Sequence, residues 1–260
     1  MGDGAAKRDM SVHSVDRAVS ILQVLARRGP TAVTDVANEL GIHKSTVFRL
    51  LYTLEARGLV VQTGTRGRYP LGYGVVQLAA GASRKPDLSQ VSRPICEALA
   101  EQVGESVDLD IFEGGSVLSI DQVIGAASVT SVNWVGKRTP THATSSGKVF
   151  LAAMSDEARG AYLAEPRQQF TEHTITSQRG LETQLEQVRR QGFGSTLEEL
   201  EVGLAAVAAP IRDIDGNVVA AISISGPNFR INTETIPTLA QAVIGAADEI
   251  SQRNGQPKPG

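Results

Sequence analysis

The amino-acid sequence predicts an α+β protein in which a small helical unit precedes a larger unit of antiparallel strands and helices. Its 260 residues are enough for two domains, one of roughly 65 residues and one of roughly 170. The first quarter carries three apolar stripes at helical spacing, and the rest alternates strand patterns with helical ones. Short Gly-containing turns join several strands, so we expect a mainly antiparallel sheet with helices set to one side.

The first helix is predicted to begin at Ser14, a candidate N-cap. The next apolar residues lie on one face of that helix and form one wall of a three-helix core; they are Ala18, Ile21, Leu22 and Leu25. Gly29-Pro30 ends the helix, because proline lacks the backbone N–H that the next turn would use.

Residues 34–54 indicate a short helix, a turn at Gly41 and a second helix. The buried stripe of the second helix is Val47, Leu50, Leu51 and Leu54. Its opposite face carries small, polar or cationic side chains, namely Ser45, Arg49, Tyr52 and Ala56. Such a face suits a helix that enters the major groove of DNA. An ordinary helical hairpin is the alternative, since this turn pattern also recurs by chance.

Two short strands are predicted after the second helix, at 58–62 and 69–72. The loop between them contains Gly64 and Gly67, which permit positive φ, together with Arg66 and Arg68. The two arginines lie where a phosphate backbone could meet them. Three helices and this hairpin predict a winged helix-turn-helix over residues 11–73.

Charge is distributed unevenly along the chain, whose net charge is −3. Residues 11–73 hold eight Lys and Arg against four acids, whereas residues 74–260 hold 15 against 22. A basic unit on an acidic body is expected of a module that binds a polyanion and is attached to another domain. The predicted contacts with double-stranded DNA are Thr34, Lys44, Ser45, Thr46, Arg49, Tyr52, Arg66 and Arg68.

Several classes of protein are disfavoured by composition. The first ten residues contain no apolar stretch of the signal-peptide type, and no run approaches the roughly 18 apolar residues of a membrane span. The single Cys96 excludes an internal disulfide and a thiolate-rich zinc site, and the four histidines are scattered. We therefore expect a cytoplasmic protein with no cofactor, no metal site and no contact with a membrane.

A linker helix is predicted over residues 74–86, ending before Pro86. Its exposed apolar residues, which include Val75, Val76 and Leu78, call for a partner surface on the body or on a second subunit.

The larger unit is predicted over residues 87–252. A helix is expected over Leu88–Val103, with Pro94 kinking or breaking its first turns. Asp108 and Asp110 alternate with apolar residues, the pattern of a half-buried strand whose acids face solvent. Gly114-Gly115 forms a hairpin turn, and Asp215-Gly216-Asn217 forms another. Further strands are predicted at 116–123, 128–135, 193–197, 204–211 and 218–225, and further helices from near 142, at 181–192 and at 235–250.

Several spaced motifs occur in an order that identifies a family. They are 14–18 (SVDRA), 46–54 (TVFRLLYTL), 142–148 (HATSSGK), Glu198-Glu199 followed by Gly203-Leu204, 208–212 (AAPIR) and 220–227 (AAISISGP). From about Ser14 to Ile250 the chain resembles the IclR family of bacterial transcriptional regulators. The resemblance implies an N-terminal winged helix, a linker helix that dimerises and a GAF-like effector domain. It also implies dimers or tetramers on pseudo-palindromic operators, and a small-molecule effector, often a carboxylate from a catabolic pathway.

The predicted effector site begins at a helix N-terminus. Residues 144–147 (TSSG) precede a helical pattern, and free N–H groups in a first helical turn suit a carboxylate. By resemblance, Ser145 and Ser146 receive the acid group on backbone amides, while Ser223 and Ser225 reach it with hydroxyls from one strand face. The predicted site residues are Thr144, Ser145, Ser146, Gly147, Thr196, Ala206, Ser223 and Ser225.

Simpler roles compete at these positions. Ser145 and Ser146 could only cap a helix, and Ser223 and Ser225 could line a solvated strand face. Relatives often carry an acid and a cysteine where this chain has Thr196 and Ala206, so the effector of a relative does not transfer.

Asp108, Asp110 and Trp134 could also shape the pocket, although a lone Trp is more often part of a core. Lys148 is expected at the surface or at the N-terminal end of the pocket.

No catalytic residue is predicted. The sequence has no Gly-x-Ser-x-Gly elbow, and Ser145-Ser146-Gly147-Lys148 lacks the upstream Gly of a phosphate loop. Three hypotheses remain: a transcription factor whose operator affinity responds to a small organic acid, a constitutive architectural DNA binder, and an enzyme with a DNA-binding appendage. The first is favoured.

Overall fold

The structure, a computed structural model, describes residues 12–63, 67–82, 88–126 and 133–255. The chain divides into two compact units, residues 1–84 and residues 85–260. Helices dominate the first unit, and a six-stranded antiparallel sheet with helices forms the second. The predicted α+β class is therefore confirmed.

The first unit is a three-helix core closed by a two-stranded sheet. Its helices are α1 (His13–Arg28), α2 (Val33–Leu40) and α3 (Lys44–Ala56). The stripes predicted from helical spacing pack together, since the buried core is Ile21, Val24, Leu25, Val36, Ala37, Val47, Leu51, Leu54, Val60 and Tyr69. Strand β1 (Thr31–Ala32) pairs antiparallel with β2 (Arg68–Tyr69) and ties the end of the hairpin to the helices.

Most of the local signals in this unit act as the sequence predicted. Gly29 ends α1 with φ of 70°, and Gly41 ends α2 in the left-handed region with φ of 63°. The predicted cap is wrong, because α1 begins at His13 and Val12 is its N-cap without a side-chain hydrogen bond. Ser14 lies one residue inside the first turn, so its hydroxyl cannot act as the cap.

The predicted wing is shorter than expected. Residues 58–62 do not form a strand; Val60 and Leu71 form an isolated bridge, and Thr63 forms another with Arg68. The hydrogen bonds of the hairpin are supplied in part by α3, because Gln62 N–H donates to the Glu55 carboxylate at 3.0 Å. Residues 64–66, which include the predicted contact Arg66, lie outside the described residues.

The predicted linker helix is α4 (Tyr73–Ala82). Its N-terminal end packs closely on the end of α3, where a Cβ on Gly72 would lie 2.3 Å from the Gly58 carbonyl oxygen. Tyr73, Val76 and Leu78 are more than half exposed within this unit. No helix in the described part of the chain combines the length and apolar character that a bilayer span requires.

The second unit is organised around one sheet. Its strands are β3 (Ser106–Glu113), β4 (Ser116–Val123), β5 (Arg138–Thr139), β6 (Gly194–Leu197), β7 (Leu204–Arg212) and β8 (Val218–Pro227). They lie in the order β5-β4-β3-β8-β7-β6, and every pairing is antiparallel. Of the strand predicted at 128–135, residues 128–132 lie outside the described residues, and residues 133–135 are not a strand.

Helices cover both faces of the sheet, so the expectation of helices on one side is wrong. On one face, α5 (Leu88–Val103) and α9 (Ile236–Arg253) bury a core that includes Val107, Leu109, Ile222 and Ile224. On the other, α6 (Ser145–Ala153) and α8 (Gln178–Gln191) pack with Ala208 and Ala221. The small side chains on this second face leave room between helix and sheet.

Two helical segments depart from the sequence prediction. The helix α5 continues through Pro94, because Ile95, Cys96, Leu99 and Ala100 are buried against the sheet and hold the helix despite the lost hydrogen bond. The helix α7 (Asp156–Ala164) was not predicted, although Ser155 caps it and Asp156 and Glu157 occupy its first turn.

Candidate functional site

The candidate effector site lies on the face of the sheet that α6 covers. Cα partners across β3, β8 and β7 include Asp108 with Ser223 and Ala206 with Ser225, so these side chains project from one face. Asp110 lies two residues along β3 from Asp108 and shares that face. The register therefore brings acids from β3 beside hydroxyls from β8.

The first turn of α6 provides the opposite wall. Thr144 is its N-cap and accepts a hydrogen bond from Gly147 N–H at 3.2 Å, while Thr144 Oγ1 donates to the Pro140 carbonyl at 3.0 Å. Within the described residues, the N–H groups of Ser145 and Ser146 find no protein acceptor. Two backbone donors and the positive end of the helix dipole are thus available to an anion.

A cavity of about 70 Å³ lies between these walls. On the same scale, one water molecule needs roughly 10–15 Å³. It fits a small organic molecule. Its lining comprises Asp108, Asp110, Val117, Ser119, Trp134, Thr139, Ala143, Thr144, Ser145, Ser146, Thr196, Leu200, Leu204, Ala206, Ser223 and Ser225.

The structure brings seven of the eight predicted effector residues to this cavity. The exception is Gly147, where a Cβ would lie 2.0 Å from the Thr141 carbonyl oxygen, so this glycine lets the helix approach the preceding segment. The simpler roles do not hold for Ser145, Ser146 and Ser223, and Ser225 is half-buried. Thr144 is the cap in place of Ser145 or Ser146, and Ser223 is buried on the cavity face.

The acids on β3 are buried, which corrects the expectation that they face solvent. Asp108 and Asp110 are only 5% and 6% exposed. Asp110 Oδ2 accepts hydrogen bonds from Ser146 Oγ at 2.6 Å and from Ser223 Oγ at 3.3 Å. Asp108 Oδ2 accepts one from Ser225 Oγ at 2.9 Å. Trp134 is half-buried at the cavity and is not part of the core.

Both carboxyl groups hold their protons more tightly than exposed aspartates do. Burial, followed by the charge of Asp108, raises the pKa of Asp110 to about 7. Burial raises the pKa of Asp108 to about 6, against the opposing effects of the Ser225 and Gln122 side chains, which lower it. The cavity therefore gains negative charge as the pH rises through neutrality.

A buried ion pair supports α6 behind the cavity. Lys148 is fully buried and does not line the cavity, so neither of its two predicted places, the surface or the N-terminal end of the pocket, is right. Its Nζ lies 2.5 Å from Glu199 Oε1. Lys148 Nζ also donates to the Gln184 side chain and to the Ser195 carbonyl, the latter at 3.4 Å. Burial lowers the pKa of Lys148 and raises the pKa of Glu199, and the charge of each partner opposes that shift.

The loop over residues 198–203 connects this ion pair to the cavity, because it contains both Glu199 and a residue of the cavity lining. Glu198 has a positive φ of 59°, and its carboxylate accepts a hydrogen bond from Gly203 N–H at 2.7 Å. The hydroxyls of Thr171 and Thr174 donate to the carbonyls of Glu198 and Glu199, both at 2.6 Å. The next residue, Leu200, lines the cavity, so these hydrogen bonds hold the loop in place at the edge of the cavity.

The candidate DNA surface is the exposed face of α3. Lys44, Ser45, Arg49 and Tyr52 are exposed as predicted, and Thr46 is half-buried. Thr34 is exposed in the first turn of α2, and the Arg68 guanidinium lies 3.4 Å from the Pro30 carbonyl oxygen. Phe48 is also on this face, 55% exposed beside Arg49, and the sequence did not predict it. An aromatic residue next to the apolar stripe is ordinarily expected to be buried with that stripe.

Other cavity residues were missed because their positions depend on pairing between distant segments. Ser119 faces Asp110 across the β3–β4 hairpin, past an irregularity in register that local alternation does not reveal. The other unpredicted lining residues come from loops or strand ends, and they are Val117, Thr139, Ala143, Leu200 and Leu204.

Comparison with known families and proteins gives a match for each of the two units. The IclR helix-turn-helix domain matches residues 14–64, and the C-terminal domain of bacterial transcriptional regulator IclR matches residues 80–252. The chain belongs to the IclR family. It is therefore a member of a family of DNA-binding transcriptional regulators with a helix-turn-helix.

Individual relatives of this IclR-family chain span nearly all of it. The HTH-type transcriptional regulator BhcR of Paracoccus denitrificans is 32% identical over 96% of this chain and 90% of its own. The HTH-type transcriptional repressor AllR of Escherichia coli is 33% identical over 93% of this chain and 90% of its own. The crystal structure of an IclR homologue from Microbacterium hydrocarbonoxydans, complexed with 4-hydroxybenzoate, matches with a TM-score of 0.81, 26% identity and coverage of 93% and 98%.

Substitution of Lys148 with Met should destabilise this IclR-family protein by about 3–5 kcal/mol, because Glu199 would be left buried without its partner. Urea-induced unfolding measures the loss. The control is Arg253→Met, which removes an exposed pair with Glu249 and should cost no more than about 1 kcal/mol. Equal losses in the two variants would contradict the role assigned to Lys148.

Stability should also depend on pH through Asp110. The folded state keeps this proton at pH values where an unfolded aspartate, with a pKa near 3.8, has lost it. The stabilisation is complete below that value and is lost as the pH rises through about 7.

Between about pH 5 and pH 8, wild type should therefore lose about 2–3 kcal/mol more than Asp110→Asn. Unfolding by urea at both pH values measures the difference. The exposed Asp215→Asn variant serves as the control and should follow wild type. Parallel pH profiles for wild type and Asp110→Asn would rule out a protonated Asp110.

Proposed function

We propose that this protein is a transcriptional regulator whose affinity for an operator is controlled by a small organic acid bound at the cavity. The observation that carries the proposal is the first turn of α6, where the amides of Ser145 and Ser146 face a cavity of small-molecule size. The relative that was crystallised with 4-hydroxybenzoate, a carboxylate, supports this ligand class. We place the acid group of the effector at these amides.

The first unit is proposed to bind double-stranded DNA through α3. Arg49 and Tyr52 are exposed on the face opposite the buried stripe, and Lys44 and Ser45 stand at the helix N-terminus. An exposed N-terminal turn with a basic residue suits contacts to bases and phosphates in the major groove. The net positive charge of residues 11–73 supports the assignment.

Self-association is proposed through α4, because Val76 and Leu78 are 58% and 65% exposed on a short, largely apolar helix. A dimer, or a pair of dimers, would place two reading helices on the half-sites of a pseudo-palindromic operator. A small change in their separation would then alter affinity. A 100-fold change requires about 2.7 kcal/mol of differential effector binding between the two states.

Operator binding is proposed to repress transcription, because the relative AllR is named a transcriptional repressor. We further propose that the effector weakens this binding. If the protein binds no ligand, the alternative is a constitutive architectural DNA binder. If it binds a ligand that has no effect on DNA binding, the alternative is an enzyme. His142 gives the enzyme little support, because its ring nitrogens contact the Gln168 carbonyl at 2.9 Å and the Tyr162 hydroxyl at 3.4 Å. Gel shifts on the upstream intergenic DNA, with and without small acids that stabilise the protein thermally, separate the three.

Arg49→Ala should weaken specific operator binding by about 1–3 kcal/mol, because one bidentate contact with a base would be lost. Quantitative gel shifts at fixed salt concentration measure the change. Arg253→Ala makes the same change of charge on the exposed end of α9 and should bind as wild type does. Unaltered affinity in Arg49→Ala would remove this residue from the interface.

Ala206→Leu should abolish the effector response and leave DNA binding intact, because the added carbon atoms would fill the cavity. The expected result is a gel shift like that of wild type which added acid no longer reverses. Ala164→Leu adds the same atoms at an exposed position of α7 and should respond normally. A fully responsive Ala206→Leu variant would mean that the effector binds elsewhere.

A further inference from the structure

The ionisable side chains that line the cavity are both acids. Asp108 and Asp110 lie two residues apart on one face of β3, and both are buried. Among the described residues of the lining, no side chain is basic. An effector that places its acid group at the first turn of α6 therefore binds beside two carboxyl groups whose charge the lining does not neutralise.

Ser146 connects the proposed acid site to Asp110. Its amide N–H is one of the two donors proposed to hold the effector, and its hydroxyl donates to Asp110 Oδ2 at 2.6 Å. A carboxylate on that amide would lie at most about 8 Å from the Asp110 carboxyl group, because two hydrogen bonds and one residue separate them. At that distance, an ionised Asp110 would weaken the binding of an anion by about 10- to 30-fold.

The other charged groups around Asp110 have partners of their own. Those on the described residues of nearby elements are Lys148 with Glu199, Asp121 with Arg93, Arg138 with Glu113, Lys137 on the Trp134 ring, and His142 with the Gln168 carbonyl and the Tyr162 hydroxyl. Strands β6, β7 and β8 contribute no ionisable side chain to the lining, and α5 and α9 lie on the opposite face of the sheet. The charge that acts on Asp110 is that of Asp108.

A proton held by the two acids would remove the repulsion of a bound anion. Burial, followed by the charge of Asp108, raises the pKa of Asp110 to about 7, so a proton is available to the pair near neutral pH. A bound anion favours the protonated form further. The proton comes from solvent and bonds to a carboxylate oxygen of the pair, while the effector remains a carboxylate at α6.

A second negative charge on the effector would be opposed in the same way. The hydroxyls of Ser146, Ser223 and Ser225 already donate to the two aspartates. Beyond the first turn of α6, a second carboxylate or a phosphate would therefore meet acids, engaged hydroxyls and apolar side chains, with no base in the described lining. The charge distribution suits an effector with one negative charge.

We propose that the effector is a singly charged organic acid and that it binds together with one proton held by Asp108 and Asp110. The inference rests on the proposed effector function and assigns the ligand a charge class and a dependence on pH. Asp110 is then a specificity-determining residue, because it disfavours a second negative charge and makes binding depend on the protonated cavity.

Isosteric acids that differ by one charge test the charge class with the full-length protein. The pairs are 4-nitrobenzoate with terephthalate and 3-nitropropionate with succinate, in which a neutral nitro group replaces one carboxylate. Isothermal titration calorimetry at pH 6.5 should show, in at least one pair, that the monoanion binds about 10-fold or more tightly than the dianion. A smaller difference in both pairs, tighter binding of either dianion, or no binding by any of the four acids at about 10 mM would overturn the proposal.

Proton uptake is tested with whichever monoanion binds more tightly. Its affinity should fall about 10-fold between pH 6 and pH 8, because binding at the higher pH must take up a proton that the free cavity has lost. Calorimetry at pH 8 in HEPES and in Tris, which differ in heat of ionisation, should show uptake of about one proton per bound acid. An affinity independent of pH, or binding without proton uptake, would overturn the proposal.

The variant Asp110→Asn locates the proton. Its side chain has a similar shape but cannot ionise, so its affinity for the same acid should change by less than about 2-fold between pH 6 and pH 8. Asp215→Asn makes the same change at an exposed turn and should keep the pH dependence of wild type. A full pH dependence in Asp110→Asn would place the proton elsewhere and overturn the proposal. If this variant does not fold, the two wild-type measurements decide.

Gel shifts with the same acids separate this inference from the proposed function. If wild type binds the upstream DNA and responds to monoanions and dianions alike at every pH, the regulator stands and the inference fails. If the charge preference and the proton uptake are found without any effect on DNA binding, the inference stands and the proposed regulation fails.

Discussion

The hydrogen bond from Ser146 to Asp110 is the contact on which the rest of the site depends. It joins the first turn of α6 to the centre of the sheet across a separation of 36 residues. It holds the amides of Ser145 and Ser146 at the mouth of the cavity and satisfies an acid that would otherwise be costly to bury. Behind it, the Lys148–Glu199 pair fixes the other side of α6 and the loop that ends at the cavity edge. Replacement of a whole buried pair by apolar residues is often neutral, whereas removal of one partner alone is costly.

This arrangement gives the cavity two chemically different walls. The α6 wall donates hydrogen bonds and carries the positive end of a dipole, whereas the β3 wall accepts hydrogen bonds and carries acids. Because α6 and the loop at 198–203 both border the cavity, a ligand bound there would contact both of the segments that the buried ion pair connects.

The sequence predicted the elements with strong local signals. The helix α8 follows from its apolar stripe and from Gly192 in the left-handed region, and β7 and β8 follow from their apolar patterns and the Asp215-Gly216-Asn217 turn. It failed where the answer depends on distant partners. The burial of Asp108 and Asp110 depends on pairing with β8, more than 100 residues away, and the burial of Lys148 depends on Glu199, 51 residues away. Local alternation gave these residues the usual exposure of charged side chains, and tertiary pairing overrode it.

The central claim is that an acid binds at the N-terminus of α6. The most direct measurement is an amide NMR titration of the full-length protein with the acid that raises its melting temperature most. The amide resonances of Ser145 and Ser146 should shift downfield in proportion to occupancy and saturate as the acid is added. Saturable binding that leaves both resonances unmoved would contradict the account.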